Sequence, residues 1–163
     1  MYKQHLLFNL ERELLLLKQL SKLIEEKDLD FRPGEKLRST YELMQYLSNN
    51  GSVMMRWFLK NDVSTPEVRA IIAEQRKSLT LQNFEERIDE QIESIKKYFE
   101  EISEDDLSNK IIEMPSKEKL PLGAAIINGP IKWLTTYRME LFVYLKMNGR
   151  TDISTKEAWS LSV

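Results

Sequence analysis

The 163-residue chain carries 24 lysines and arginines against 26 aspartates and glutamates, a net charge of −2. It therefore has no positive excess to hold a phosphate backbone, which excludes nucleic acid as a partner. It has no cysteine and one histidine, His5, which excludes disulfides, thiolate metal centres and cysteine nucleophiles.

The longest apolar run, Leu14 to Leu17, is bracketed by Glu13 and Lys18 and is too short to span a bilayer. Glu11, Arg12 and Glu13 arrive too early for a secretory signal, so a cytoplasmic protein with one domain over residues 1–163 is expected. Leu6, Leu7, Leu10, Leu14, Leu17, Leu20 and Ile24 form a wide stripe at helical spacing and predict a first long helix to about Lys27. Phe31-Arg-Pro-Gly34 reverses the chain.

Ser39-Thr-Tyr-Glu42 has the spacing of a capping box and predicts a second helix from Thr40 to about Asn49. Asn50-Gly51 closes or kinks it, and Val53, Met54, Met55, Trp57, Phe58 and Leu59 continue an apolar helical segment. Thr65 as cap with Pro66 at the first helical position predicts a short linking helix to about Lys77.

Leu81, Phe84, Ile88, Ile92, Ile95, Phe99 and Ile102 give the third long helix. Ser103 to Asp106 caps a brief turn, and Lys110 to Leu120 reads as loop with a short extended piece at Ile111 and Ile112. Pro121 enters a fourth helix, Leu122 to Asn148, which Gly129-Pro130 kinks or splits. Its face of Trp133, Tyr137, Leu141, Tyr144 and Leu145 points at a core, and Gly149 suits a left-handed C-terminal cap. Ser154-Thr-Lys-Glu157 is a capping box for a terminal turn that docks Ala158 and Trp159. Four long amphipathic segments without period-two alternation predict an all-α four-helix bundle with short additional helices.

The phrase from Asp30 to Leu47, the phrase from Trp133 to Gly149, and the helix spacing between them resemble the DinB/YfiT-like superfamily of small bacterial four-helix bundles. That resemblance implies a divalent metal held by three histidines, one on the second helix and two, four residues apart, on the last. The matching positions here are Tyr46, Trp133 and Tyr137, the last just before Arg138. Indole has no lone pair to give a metal, and a neutral phenol is a poor ligand. His5 supplies at most one ligand from another helix, so neither a metal nor another cofactor is expected.

Two readings of Tyr46, Trp133 and Tyr137 stay open: a pocket whose hydroxyls and indole N–H orient a small ligand, or core packing of aromatics. Glu42 and Glu140 could face the same cavity, which makes all five the candidate ligand-binding residues. Otherwise Glu42 is a helix cap and Glu140 a solvated or Arg138-paired side chain. Met54, Met55, Trp57 and Phe58 form a dense apolar patch, part of it core and the rest available for a dimer contact, which the resemblance also implies. Arg32, Lys36 and Arg38 interleave with Asp28, Asp30 and Glu35 and read as a solvated loop. The functional expectation is a non-enzymatic small-molecule-binding or homo-oligomeric module that has lost the usual metal site. The alternative, which the resemblance implies, is a transferase acting on a low-molecular-weight thiol or related small substrate, with Tyr46, Tyr137 or Glu140 in place of the metal. A homodimer and a small-molecule ligand are the partners these readings allow.

Overall fold

The computed structural model describes residues 2–161. In chain order it contains α1 (Tyr2–Ser21), a 3-10 turn (Glu26–Asp28), α2 (Thr40–Leu47), α3 (Asn50–Lys60), α4 (Pro66–Lys77), α5 (Phe84–Glu101) and α6 (Glu104–Asn109). A hairpin of β1 (Ile111–Glu113) and β2 (Lys119–Pro121) follows, then α7 (Leu122–Ile126), one turn of π-helix (Ile127–Ile131), α8 (Lys132–Met147) and α9 (Thr155–Trp159). The bundle is built from α1, the α2–α3 pair, α5 and the α7–α8 run, with α1 packed on α5 and α8, α2 on α8, and α3 on α5. Leu10, Leu14 and Leu17 of α1, Leu43 and Leu47 of α2, Ile88 and Ile95 of α5, and Leu141 and Leu145 of α8 are all fully buried at the centre. These are the three-and-four positions of each stripe, turned inward because apolar area gains most by leaving water.

Local chemistry sets the helix starts. Ser39 and Glu42 exchange a reciprocal capping box, with Ser39 N–H donating to the Glu42 carboxylate at 2.8 Å. Ser103 with Asp106 and Ser154 with Glu157 do the same for α6 and α9, and Thr65 caps α4 ahead of Pro66. Gly149 follows α8 at φ +87, the left-handed region that glycine enters without a Cβ clash.

The second helix does break, at Ser48 and Asn49, and a buried side chain from α5 holds the break together. Gln91 is 2% exposed; its amide N–H donates to the Leu47 carbonyl at 2.8 Å, and its amide oxygen accepts from Gly51 N–H at 3.0 Å. One glutamine thus satisfies a carbonyl and an N–H that the interrupted helix strands away from water.

In the last helix, Gly129-Pro130 neither splits nor ends the run. The turn widens to π-helix around the proline, whose ring lacks an N–H and crowds the preceding turn. Gly129 lets this turn approach α3, since a Cβ there would lie 2.9 Å from Phe58 Cζ.

Two sequence expectations need correction. Residues 110–120 are not simply loop: β1 and β2 pair antiparallel with Ile112 opposite Leu120, and Lys117 turns the hairpin at φ +67. Three-residue strands are too short to display a period. Glu140 is neither free in solvent nor paired with Arg138; it accepts the Tyr144 hydroxyl at 2.7 Å. Arg138 is fully buried and reaches Glu13 on α1 at 2.8 Å, donates to the Ala158 carbonyl and lies over the Trp159 ring at 5.6 Å. Just past the C-terminal end of α8, buried Asp28 accepts from Arg150 at 2.7 Å and from Asn148 at 2.9 Å.

Replacing Gln91 with leucine leaves the Leu47 carbonyl and Gly51 N–H buried without partners and should cost about 3 kcal/mol in urea unfolding. Gly129→Ala should cost roughly 1–3 kcal/mol by overpacking against Phe58. Gly34→Ala, whose added methyl meets only Leu37 Cδ1 at 3.8 Å, should leave the midpoint nearly unchanged.

Candidate functional site

The capping box fixes the start of α2, and the Gln91-held break fixes its end, so the helix presents Tyr46 toward α8. There the Tyr46 and Tyr137 rings meet edge to face, centroids 4.9 Å apart at 72°. Both are half-buried. Such a pair contributes about 0.5–1.5 kcal/mol beyond the area it buries.

Two arginines converge on the pair. The Arg38 guanidinium, from the loop before α2, sits 4.6 Å from the Tyr46 ring centroid and 5.6 Å from that of Tyr137. The Arg76 guanidinium, from the last turn of α4, sits 5.2 Å from the Tyr46 centroid. Arg76 is placed by the helix break itself: Asn49, the residue at the interruption, accepts from Arg76 Nε at 3.1 Å, and Gln45 Nε2 donates to the Arg76 carbonyl at 2.9 Å. Among the described residues neither guanidinium forms an ion pair with a carboxylate, whereas Arg32, Arg56, Arg138 and Arg150 each do.

Burial, and then the neighbouring Tyr137, push the Tyr46 phenol above its ordinary pKa, against the opposing pull of Arg38 and Arg76. Burial likewise lowers the pKa of Arg76, and the like charge of Arg38 adds to this. The phenol is therefore a protonated hydrogen-bond donor at neutral pH, beside two positive charges, of which Arg76 is held by Asn49.

The other candidates lie around this pair and are already engaged. Trp133, one turn before Tyr137, is half-buried against the core and takes no part in the ring pair. Glu42 keeps to its cap and pairs with Arg32 at 2.8 Å; the hydrogen bond from Ser39, followed by the charge of Arg32, holds its carboxyl below the usual range. Glu140 is held by Tyr144, whose phenol burial and that carboxylate push up to about 12. Met54, Met55 and Phe58 of the apolar patch are buried, and Trp57 packs against Phe58 with centroids 6.0 Å apart. Clefts open elsewhere, between α3 and the hairpin beside Trp57 and Ile111, and between α3 and α4 beside Arg56 and Ile71.

Sequence reasoning missed Arg38 and Arg76. Arg38 stands in a loop of mixed charge, and its contact with Tyr137 spans nearly a hundred residues; Arg76 is one basic side chain at a helix C-terminus, where such residues are common. No local sequence signal singles out either residue.

A tri-histidine-type metal does not fit this place. The three positions offer an indole and two phenols, and the adjacent guanidinium charges repel a divalent cation. Among the described residues no group of three histidine, cysteine, aspartate or glutamate side chains could hold a metal ion. Nor is any described helix long and apolar enough to cross a membrane.

The fold is similar to the crystal structure of a DinB-like protein, YjoA, from Bacillus subtilis, with a TM-score of 0.68 and 15% sequence identity, covering 92% of this chain and 96% of that one. The architecture is therefore DinB-like. No protein-family model and no curated protein matches the sequence.

In a pH titration followed by tyrosine 13Cζ NMR, Tyr46 should have a midpoint above 10, and Arg38→Gln should move it further up, because the cation that favours phenolate is removed. A folded-state pKa above the unfolded value stabilises fully below pH 10. That contribution is lost as the pH rises through the folded midpoint, and Tyr46→Phe should abolish this part of the alkaline stability loss.

Proposed function

We propose that this protein is a non-enzymatic bundle that binds a small molecule at the Tyr46–Tyr137 face, between α2 and α8. The observation that carries the reading is the pair of half-buried phenols, in contact with each other and with two guanidinium groups, at the positions where a related metalloprotein would hold imidazoles. The fold is kept while the donor set is replaced by groups that hydrogen-bond and attract, which is binding chemistry.

The transferase alternative has less support. A thiol must be deprotonated to attack, and a raised Tyr46 phenol is a poor general base at neutral pH. Glu42 and Glu140 are committed to the helix cap and to Tyr144. The homo-oligomer alternative keeps only half-buried Trp57 of its apolar patch, because Met54, Met55 and Phe58 lie in the core.

The test is a 1H–15N NMR screen with phenol, benzamide, benzoate and phenyl phosphate. At least one should give a saturable shift centred on the Tyr46 and Tyr137 amides, lost in Tyr137→Ala at unchanged helical circular dichroism. Saturable shifts confined to another face, or none from any of the four, would overturn the reading.

A further inference from the structure

We infer that the ligand carries an oxyanion, a carboxylate or a phosphate, and that Arg38 and Arg76 hold it at the rim of the Tyr46–Tyr137 pair. This rests on the small-molecule reading of the same face and specifies its chemistry.

The first ground is charge. Arg38 and Arg76 both lie against the Tyr46 ring, at 4.6 and 5.2 Å, and no carboxylate pairs with either among the described residues. Three other arginines held against side chains are neutralised: Arg138 with Glu13, Arg150 with Asp28, Arg56 with Asp62. Two like charges gathered on one ring repel, and a bound anion offsets both at once.

The second ground is the donor inventory. Arg76 spends its Nε–H on Asn49, which fixes the plane of the guanidinium, and its two terminal nitrogens make no hydrogen bond among the described residues. The Arg38 side chain makes no hydrogen bond there at all, so its N–H donors are not spent on a protein acceptor while its guanidinium lies against the two rings. Guanidinium edges are planar forks that match the two oxygens of a carboxylate or phosphate, and such charge-assisted bonds are the stronger kind. The protonated Tyr46 hydroxyl adds a neutral donor beside them. The set is donor-rich; the Glu42 carboxylate feels the charge of Arg38 but is engaged by Ser39 and Arg32, so it pairs with neither guanidinium, and the set selects against cations and gives neutral ligands no electrostatic advantage.

The third ground is placement. Arg76 is not a free surface side chain: while α4 is docked, its backbone carbonyl is tied to Gln45 and its Nε to the helix break, so its charge is positioned without a ligand. Arg38 sits on the exposed loop before α2, where it can close over a bound group.

The experiment measures affinities of inorganic phosphate, phenyl phosphate, benzoate and uncharged phenol by NMR titration and calorimetry at 20 and 300 mM NaCl. Phenyl phosphate or benzoate should bind at the Tyr46 and Tyr137 amides at least tenfold more tightly than phenol, and more weakly at the higher salt. Arg38→Gln and Arg76→Gln should each weaken the anion at least tenfold, and Arg38→Lys should recover part of the loss. Arg38 lies on an exposed loop, so its variants report even if Arg76→Gln disturbs α4. The relative responses of benzoate and phenyl phosphate separate a carboxylate from a phosphate ligand. If phenol or benzamide binds at this face and neither anion binds better, the oxyanion inference falls and the small-molecule reading stands. If nothing binds there, both fall.

Discussion

The structure depends on one side chain crossing between two helices. Gln91 of α5 donates to the Leu47 carbonyl and accepts from Gly51 N–H, and through those two bonds it makes an interrupted helix tolerable inside an apolar core. With the interruption in place, α2 and α3 take separate directions. α3 lies along α5 and the π-helical turn of the last helix, while α2 lies along α8 and brings Tyr46 to Tyr137. The interruption also frees Asn49 from helical duty, so that its side chain holds Arg76. The organisation of the candidate site thus follows from a hydrogen-bonding requirement about one helical turn away.

Two further polar contacts tie the fourth helix to the rest of the chain. Arg138 meets Glu13 of α1 midway along α8, and Arg150, just past its end, meets Asp28 after α1. Buried ion pairs of this kind add little net stability compared with apolar packing but are costly to break. Their use here is geometric. An apolar stripe of leucines on α1 tolerates small slides of α8, whereas a guanidinium aimed at a single carboxylate does not. The aromatic pair inherits that fixed register.

Much of the framework was legible in the sequence because its causes are local. The Ser39–Glu42 and Ser154–Glu157 boxes, the Thr65 cap before Pro66, the α5 stripe and the cap at Gly149 are each specified within a few residues, and each appears as expected. What was not legible depends on residues far apart in the chain. Nothing near Asn49 reveals that a glutamine forty residues later will satisfy the broken helix. The hairpin of Ile111 to Pro121 is too short to show alternation, and its pairing is set by the return of the chain into α7. At the site, the aromatic positions could be found by matching helices, while Arg38 and Arg76 could not, because a basic residue in a loop or at a helix end has the same local signature whether it meets solvent or an aromatic ring. Glu140 shows the converse: Arg138 two residues before it was the obvious partner, but positions two apart face different sides of a helix, and Tyr144 one turn on was the true one.

α4 is attached to the bundle unlike any of the long helices. Of its described side chains only Val68 is buried, Ile71 is 55% exposed, and its hold on α2 rests largely on polar bonds at its C-terminal end, from Gln45 and Asn49. Opening such an element exposes little apolar surface, so it costs far less than unfolding the domain, and its amides should exchange with solvent in a separate, faster class than those of α5. Arg76 travels with α4. The local stability of this one peripheral helix therefore sets how much of the time the second positive charge is present beside Tyr46.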